Sequence, residues 1–284
     1  MTGNGAIKLV LYNDNPNGLT DDEVCGEVGD TLAFARYDDS ENGLLGKTQF
    51  ASNNERNGYI GYMYGTPGSS SYDNEHANLN DSVILSNLKK WYDANFNSSN
   101  GINLIEDVIW CNDKSIYNGT GISRDVSYYS SGGRYNSKKP SLICPTAGAD
   151  GKLSKFTALD STYGNAMLKT EILDTNPVSY KYYKIGLITL DEYIYSSSEK
   201  SFFLENSMDK WWTITPESFV TPNGSGSYVF AIKSDGNINW YNTLTIIGLR
   251  PSIALIPTVQ ATYNTAEGAD APGTVNNPYI VNIS

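Results

Sequence analysis

The sequence predicts an α+β fold in which two helices sit among many short strands and long loops. Three observations carry that expectation. Residues 83–96 place Val83, Ile84, Leu88, Trp91, Tyr92 and Phe96 on one face at helical spacing. Residues 228–232 alternate in and out before Asp235-Gly236, a dipeptide that readily takes the positive φ of a hairpin turn, so a return strand over 237–241 should follow. Finally, only 18% of the chain is charged while it holds 26 glycines and 21 tyrosines, a composition of loop-rich, strand-rich extracellular proteins.

Taken in order, residues 6–12 read as a strand and residues 13–22 as a turn-rich loop around Asn15-Pro16-Asn17-Gly18. Residues 27–58 are irregular and polar. A short apolar run over 59–64 leads into a loop over 65–80. Asn80 or Asp81 is placed to cap the first helix, whose apolar face packs on the core. Residues 104–111 and 140–144 read as strands on either side of a glycine- and serine-rich loop over 118–137. The second helix starts after Thr189, whose hydroxyl can cap it, with Leu190, Tyr193 and Ile194 inward and Asp191-Glu192 in the first turn, where acids suit the helix dipole. Strands broken by turns continue to Tyr279-Ile280-Val281. No long linker divides two cores and no repeat is visible, so residues 1–284 read as one domain.

The balance of 20 basic against 31 acidic residues gives −11, which argues against nucleic acid or an anionic membrane as partner. No stretch approaches the length of apolar sequence needed to span a bilayer, so direct membrane insertion is not expected. Met1-Thr2-Gly3-Asn4 is not a signal peptide, and a strand starts almost at once. That abrupt start implies that an export signal or membrane anchor normally precedes it. Of the cysteines Cys25, Cys111 and Cys144, the last two close the shorter loop and adjoin strand-like runs, so they form the expected disulfide in an oxidising compartment. Three reduced thiols are the alternative. Tyrosines serve binding loops well, since each gives a large rigid surface with a hydroxyl tip, although most of them read as cover for solvated strand faces.

Catalytic machinery is hard to assemble from these residues. The single histidine, His76, lies in a polar loop and reads as solvated surface, and no nucleophile elbow, phosphate loop or zinc motif accompanies it. Asp191, Glu192, Glu205 and Asp209 are conceivable carboxylates for a hydrolase, but acids are too many for any pair to stand out. No cofactor and no metal site are expected. A calcium ion is the alternative left open, with Asn80-Asp81, Asn112-Asp113 or residues 235–239 as oxygen donors, though none has the spacing of an EF-hand. Trp211 and Trp212 face opposite sides of an extended segment, so one anchors the core while the other approaches a binding face. Arg250 reads as structural, its guanidinium fixing the base of the hairpin.

A series of motifs in one order carries a resemblance. GYMYG (61–65), a helix ending in Trp91-Tyr92, WCND (110–113), KPSLIC (139–144), IGLITLDE (185–192), WWTITP (211–216), the 228–236 hairpin, GLRPSIAL (248–255) and GTVNNPYIV (273–281) together resemble surface proteins of gut Firmicutes with a C-type-lectin-like domain. The resemblance implies a twisted antiparallel sheet with two helices, close to the formylglycine-generating-enzyme variant of that fold. It also implies export and cell-surface attachment, in some members through a pilin-like segment.

The same fold serves the variable proteins of diversity-generating retroelements, which display mutable residues near a C-terminal Gly-x-Arg-Pro strand. By that analogy the ligand-binding residues here are Ser218, Phe219, Asn237, Asn239, Trp240, Tyr241, Asn242, Thr243, Thr245 and Ile246, facing a protein or glycan ligand on a host or neighbouring cell. Two departures limit what carries over. The paired calcium-and-sugar motif of sugar-binding C-type lectins is missing, since Trp110-Cys111-Asn112-Asp113 has an inserted cysteine and Thr221-Pro222-Asn223 lacks the acid. The catalytic cysteine pair of the sulfatase-activating relatives is absent from the C-terminal half. The expected function is therefore non-enzymatic ligand binding, with a structural or assembly subunit of a pilus or phage particle as the alternative.

Overall fold

A computed structural model describes residues 7–10, 48–96, 102–156, 158–159, 182–197, 210–220, 226–233, 235–262, 265–266 and 280–283. Along the chain the strands are β1 (Ile7–Val10), β2 (Met63–Tyr64), β3 (Asn80–Asp81), β4 (Trp110–Cys111), β5 (Ile116–Asn118), β6 (Ser127–Tyr129), β7 (Lys155–Phe156), β8 (Ala158–Leu159) and β9 (Tyr182–Tyr183). They continue as β10 (Trp211–Val220), β11 (Gly226–Ile232), β12 (Ile238–Asn242), β13 (Ser252–Leu255), β14 (Val259–Thr262) and β15 (Ile280–Ile283). The helices are α1 (Tyr72–Glu75), α2 (Val83–Asn95), α3 (Ser130–Ser137) and α4 (Leu190–Ser197). The class is α+β with antiparallel pairing.

The central sheet has the order β12-β11-β10-β6-β5, and the remaining strands form two-stranded ladders, among them β1 with β13 and β14 with β15. Both faces of the central sheet are covered. On one face Trp212, Ile214, Val229 and Ala231 join Phe50, Ile60, Tyr62 and the α2 residues Ile84, Leu85, Leu88 and Tyr92 in the main core. On the other, Trp211, Phe230 and Ile232 join Ile188 and the α4 residues Leu190 and Tyr193, with Tyr135 of α3 packed against them. Strand alternation sends Trp211 and Trp212 to opposite faces, as expected, but each meets a covered layer and both are fully buried. The expectation that one of them reaches a binding face is therefore wrong.

The first helix is capped by Ser82, not by Asn80 or Asp81. Its hydroxyl accepts from the Leu85 N–H at 3.2 Å, while Asn80 and Asp81 pair with Tyr64 and Met63 as strand residues. The second helix carries a reciprocal cap: Thr189 Oγ1 accepts from the Glu192 N–H at 3.0 Å and a Glu192 carboxylate oxygen accepts from the Thr189 N–H at 2.8 Å. Leu190 and Tyr193 point inward as expected.

The stretch read as a loop over 118–137 contains β6 and α3. Local propensity gives no sign of a helix in SSGGRYNS, because glycine and serine favour other conformations. Tertiary contacts override it. Gly133 lets the Tyr117 ring lie where a Cβ would stand only 2.8 Å away, and Arg134 anchors the helix to two buried carboxylates. Conversely, residues 104–111 contribute only the two strand residues Trp110–Cys111, and residues 140–144 form no strand. The disulfide, Asp191 and Tyr195 hold that second segment instead: the Ser141 N–H donates to Asp191 at 2.8 Å and the Tyr195 hydroxyl to the Pro140 carbonyl at 3.1 Å. Cys111 and Cys144 are bonded, with Cα atoms 5.7 Å apart. Cys25 lies outside the described residues.

The hairpin forms with Ile232 opposite Ile238, so its connection spans residues 233–237 and is longer than a two-residue turn. Gly236, at φ 77°, supplies the left-handed residue, and the Lys233 N–H closes the loop on the Asn237 carbonyl at 2.9 Å. Arg250 is structural as expected, but through an aromatic ring: its guanidinium lies 4.8 Å from the centre of the Trp211 ring. Tyr62, Tyr92, Tyr129, Tyr183 and Tyr193 are buried, so tyrosine here serves the core as well as strand surfaces.

Candidate functional site

Cross-strand register decides which side chains share a face. Asn118 stands opposite Tyr128, Tyr128 opposite Ser218, Ser218 opposite Tyr228, and Tyr228 opposite Asn242, so these five form one row across all five strands. Two residues along, Phe230 stands opposite Trp240 on the same face, their rings meeting edge to face with centroids 6.3 Å apart. Helix α3 covers part of this face through the Tyr135 contact with Phe230. Tyr128 remains 39% exposed and Trp240 46% exposed beside it, and Tyr228 is half-buried. An aromatic shelf walled by α3 results.

A β-bulge shapes the middle of this shelf. Pro216 pairs with Val229 and Ser218 with Tyr228, so β10 carries one extra residue there, Glu217. A bulge re-aims a side chain out of strict alternation. The Ser218 hydroxyl donates to the Glu217 carboxylate, and a Cβ on Gly132 of α3 would sit 3.8 Å from that carboxylate's other oxygen. Glu217 thus meets Ser218 on one side and approaches α3 at Gly132 on the other. Burial pushes its carboxyl up from the usual range, with the serine hydrogen bond acting in the opposite direction.

The residues expected from the sequence divide accordingly. Trp240, Asn242 and the exposed Asn237 and Ile246 are accessible in whole or part. Tyr241 faces the main core, with the Lys210 ammonium 4.6 Å from its ring, and Asn239 donates to the Tyr241 hydroxyl at 3.3 Å. Thr245 is half-buried, its N–H closing a turn on the Asn242 carbonyl. Ser218, Phe219 and Thr243 are buried to 2% exposure or less, so assigning them ligand contacts is a mistake. Ser218 lies beneath Glu217. Phe219 is the next residue on β10 and points to the opposite face, opposite Ser127 and Ser227. Thr243 is fixed by backbone bonds to Phe50, Ala51 and Ser227. Tyr128, Tyr228 and Glu217 were missed. The alternation of Tyr228 in the hairpin could have found one of them, but the partner strand β6 and the bulge leave no local signature.

Other candidate chemistry is absorbed by the fold. His76 is buried, not solvated: Nε2 lies 2.8 Å from the Gly121 carbonyl, and the ring packs on Tyr72 with centroids 4.7 Å apart. Desolvation, helped by the nearby Lys114 charge, lowers its pKa to about 3. Lys114 is also fully buried, donating to the His76 carbonyl and to Asn78 Oδ1, each at 2.7 Å, and desolvation lowers it to about 7. Glu75 accepts from the N–H groups of Gly58, Gly68 and Ser123. These groups tie loops together under the α1 end of the molecule.

A cleft of about 460 Å³ opens between the 141–145 loop and α4, lined by Lys8, Cys111, Arg134, Leu142, Ile143 and Tyr195 among others. Its charges are already matched. Arg134 meets Asp113 at 2.8 Å and Asp191 at 2.7 Å, and Lys8 pairs with Glu192. Asp191 and Glu192 are therefore engaged structurally, while Glu205 and Asp209 lie outside the described residues. Of the oxygen donors considered for calcium, Asp81 is paired with Lys89 at 2.6 Å and Asp113 with Arg134. Among the described residues no three His, Cys, Asp or Glu side chains converge as metal ligands would, and no helix is long and apolar enough to cross a membrane.

Compared with family models, curated proteins and solved structures, the chain matches none of them.

Proposed function

We propose that this chain is a non-enzymatic, surface-displayed ligand-binding domain of the C-type-lectin-like kind. Its binding face is the aromatic shelf of the central sheet, and its ligand is a protein or glycan on a host or neighbouring cell. The observation that carries this reading is the row from Asn118 to Asn242 with Trp240 beside it. It joins exposed aromatic rings to amide and carboxylate groups on a sheet whose two faces are otherwise packed. Tyr and Trp give much contact area for little lost conformational freedom, which suits such a surface to recognition.

Other observations support the reading. A disulfide is at home in an oxidising, extracellular setting and agrees with attachment at a cell surface. Burial of His76 removes the only imidazole from any catalytic triad. The partly exposed positions Asn237, Trp240, Asn242 and Ile246 lie on or beside the edge strand β12, outside the two buried core clusters. That placement suits diversification by a retroelement. The edge itself favours one alternative: β12 is a terminal strand of the sheet and could pair with another subunit of a pilus or phage particle.

The test uses labelled protein on a printed glycan array and on intact bacterial and epithelial cells. Combined Trp240→Ala and Tyr128→Ser should abolish the binding seen with the parent protein while leaving its unfolding midpoint within a few degrees. Retained binding by the folded variant would refute the site. Concentration-dependent filaments in light scattering, with no cell or glycan binding, would favour assembly.

A further inference from the structure

We propose that Asn118 is a site of spontaneous covalent modification, losing its side-chain amide in the folded protein to become aspartate or isoaspartate. The reaction favours an Asn-Gly pair, because the backbone nitrogen of the following residue is the nucleophile and glycine has no side chain to hinder its approach. Among the described residues two such pairs exist, Asn57-Gly58 and Asn118-Gly119, and the fold treats them in opposite ways. Asn57 is sealed. It begins a 3-10 turn over Asn57–Ile60 and is fully buried. Its Nδ2 donates to the Asp125 carbonyl at 2.7 Å, and the Gly58 N–H, which would have to attack, donates to the Glu75 carboxylate at 3.2 Å. Ring closure there would strand buried polar groups without partners, so reaction at Asn57 waits on global unfolding.

Asn118 is open. It is the last residue of β5, a terminal strand of the central sheet, and a register shift separates it from Ile116. Asn118, Gly119 and Thr120 are all exposed, and among the described residues no group is hydrogen-bonded to the Asn118 side-chain amide. Turning its backbone out of the extended form frays only the end of one ladder, a local opening far cheaper than unfolding. Glycine is fixed at the next position: Gly119 has φ 93°, and a Cβ there would strike the Val126 carbonyl oxygen. The turn that requires Gly119 therefore keeps the reactive pair together. In the first step the Gly119 nitrogen bonds to Asn118 Cγ, the Cγ–Nδ2 bond breaks, and the proton from the attacking nitrogen leaves, by way of water, with the departing ammonia. Water then opens the resulting five-membered imide at either carbonyl, giving aspartate or an isoaspartate whose main chain runs through Cγ. Either product places a new carboxylate at the β5 end of the row from Asn118 to Asn242. The modification site stands on its own, and only its consequence for recognition rests on the binding-face reading above.

The test ages the full chain at mildly alkaline pH, folded in buffer and unfolded in urea, and follows each Asn-Gly peptide by mass spectrometry, with enzymatic methylation to report isoaspartate. In the folded protein the Asn118 peptide should convert roughly 100-fold or more faster than the Asn57 peptide, the gap between a local and a global opening. In urea the two rates should converge, which separates the effect of the fold from that of the sequence. Asn118→Gln, which keeps an amide but would need a larger ring, should stop conversion at that peptide without changing the rate at Asn57 in urea. Equal rates at Asn57 and Asn118 in the folded protein would overturn the proposal. So would an Asn118 peptide that stays intact in buffer over the time in which the urea sample converts. If the shelf binds no ligand while Asn118 converts as expected, the binding-face reading falls and the modification site remains.

Discussion

Lys114 should give the protein a stability that climbs as pH rises above neutrality. Its ammonium is fully buried and held by two neutral acceptors, the His76 carbonyl and the Asn78 side chain. Taking a charge out of water without an opposite charge nearby disfavours the protonated form, and burial lowers this group from its ordinary 10.5 to about 7. Below about pH 7 both folded and unfolded chains carry the proton, and the folded state bears the whole desolvation penalty. Between about 7 and 10.5 the unfolded chain still binds a proton that the folded chain has released, so stability rises with pH through that window. At ~1.4 kcal/mol per pH unit the full span is on the order of 5 kcal/mol, of which about 3 kcal/mol falls between pH 7 and 9. Urea unfolding at half-unit steps over that interval reads it directly, best on a Cys25→Ser background so that thiol exchange does not intrude. Lys114→Met removes the titrating group, so the difference between parent and variant stability should grow in the parent's favour by up to that amount by pH 9. Parallel pH profiles for the two proteins would refute the reasoning, whichever is the more stable at pH 7.

Two further perturbations probe the wall of the cleft. Arg134→Met leaves Asp113 and Asp191 without their shared cation, and loss of one partner from a largely buried charge cluster costs ~3 kcal/mol or more; urea unfolding that shifts by under ~0.5 kcal/mol would count against the cluster's anchoring of α3. Reducing Cys111–Cys144, or replacing both by serine, frees a loop of sequence separation 33, and chain entropy alone puts the loss at about 4 kcal/mol. An unchanged denaturation midpoint in reductant would show that the 141–145 segment is held by its hydrogen bonds to Asp191 and Tyr195 alone.

Local and global features differed in how far the sequence disclosed them. The two long-period signals were legible: α2 has its apolar stripe, and the Thr189 to Glu192 cap announces α4 before any tertiary contact. Alternation exposed the hairpin, because Ile232 and Ile238 pair as the pattern demands. Helix α3 was illegible, since SSGGRYNS is a poor helix by propensity and is held by Arg134 reaching carboxylates on β4's exit and on α4. His76 was misjudged for a related reason: its polar sequence neighbours suggest solvent, while Tyr72, Gly121 and Tyr129 close around it from distant positions.

The candidate site shows the same division at the scale of single residues. The sequence grouped Ser218, Phe219 and Thr243 with Trp240 and Asn242, and in the sheet Ser218 and Phe219 stand one strand away from Asn242 and Thr243, with Tyr228 and Ser227 of β11 between them. Which of them faces solvent depends on two facts without a local signature, the presence of β6 next to β10 and the extra residue Glu217. One residue fewer in β10 would reverse the facing of every side chain on one side of the bulge relative to the other, because strand side chains alternate with period two. Deleting Glu217 should therefore do more than remove a carboxylate. It should force the Ser218–Val220 segment to exchange faces or break its pairing with Tyr228 and Ser227, whereas Glu217→Gln should keep the register and change only the charge. Hydrogen exchange at the β10–β11 amides separates the two: protection retained in Glu217→Gln and lost in the deletion is the expected pair of results. Equal protection in both would mean that the bulge is not what aims the shelf.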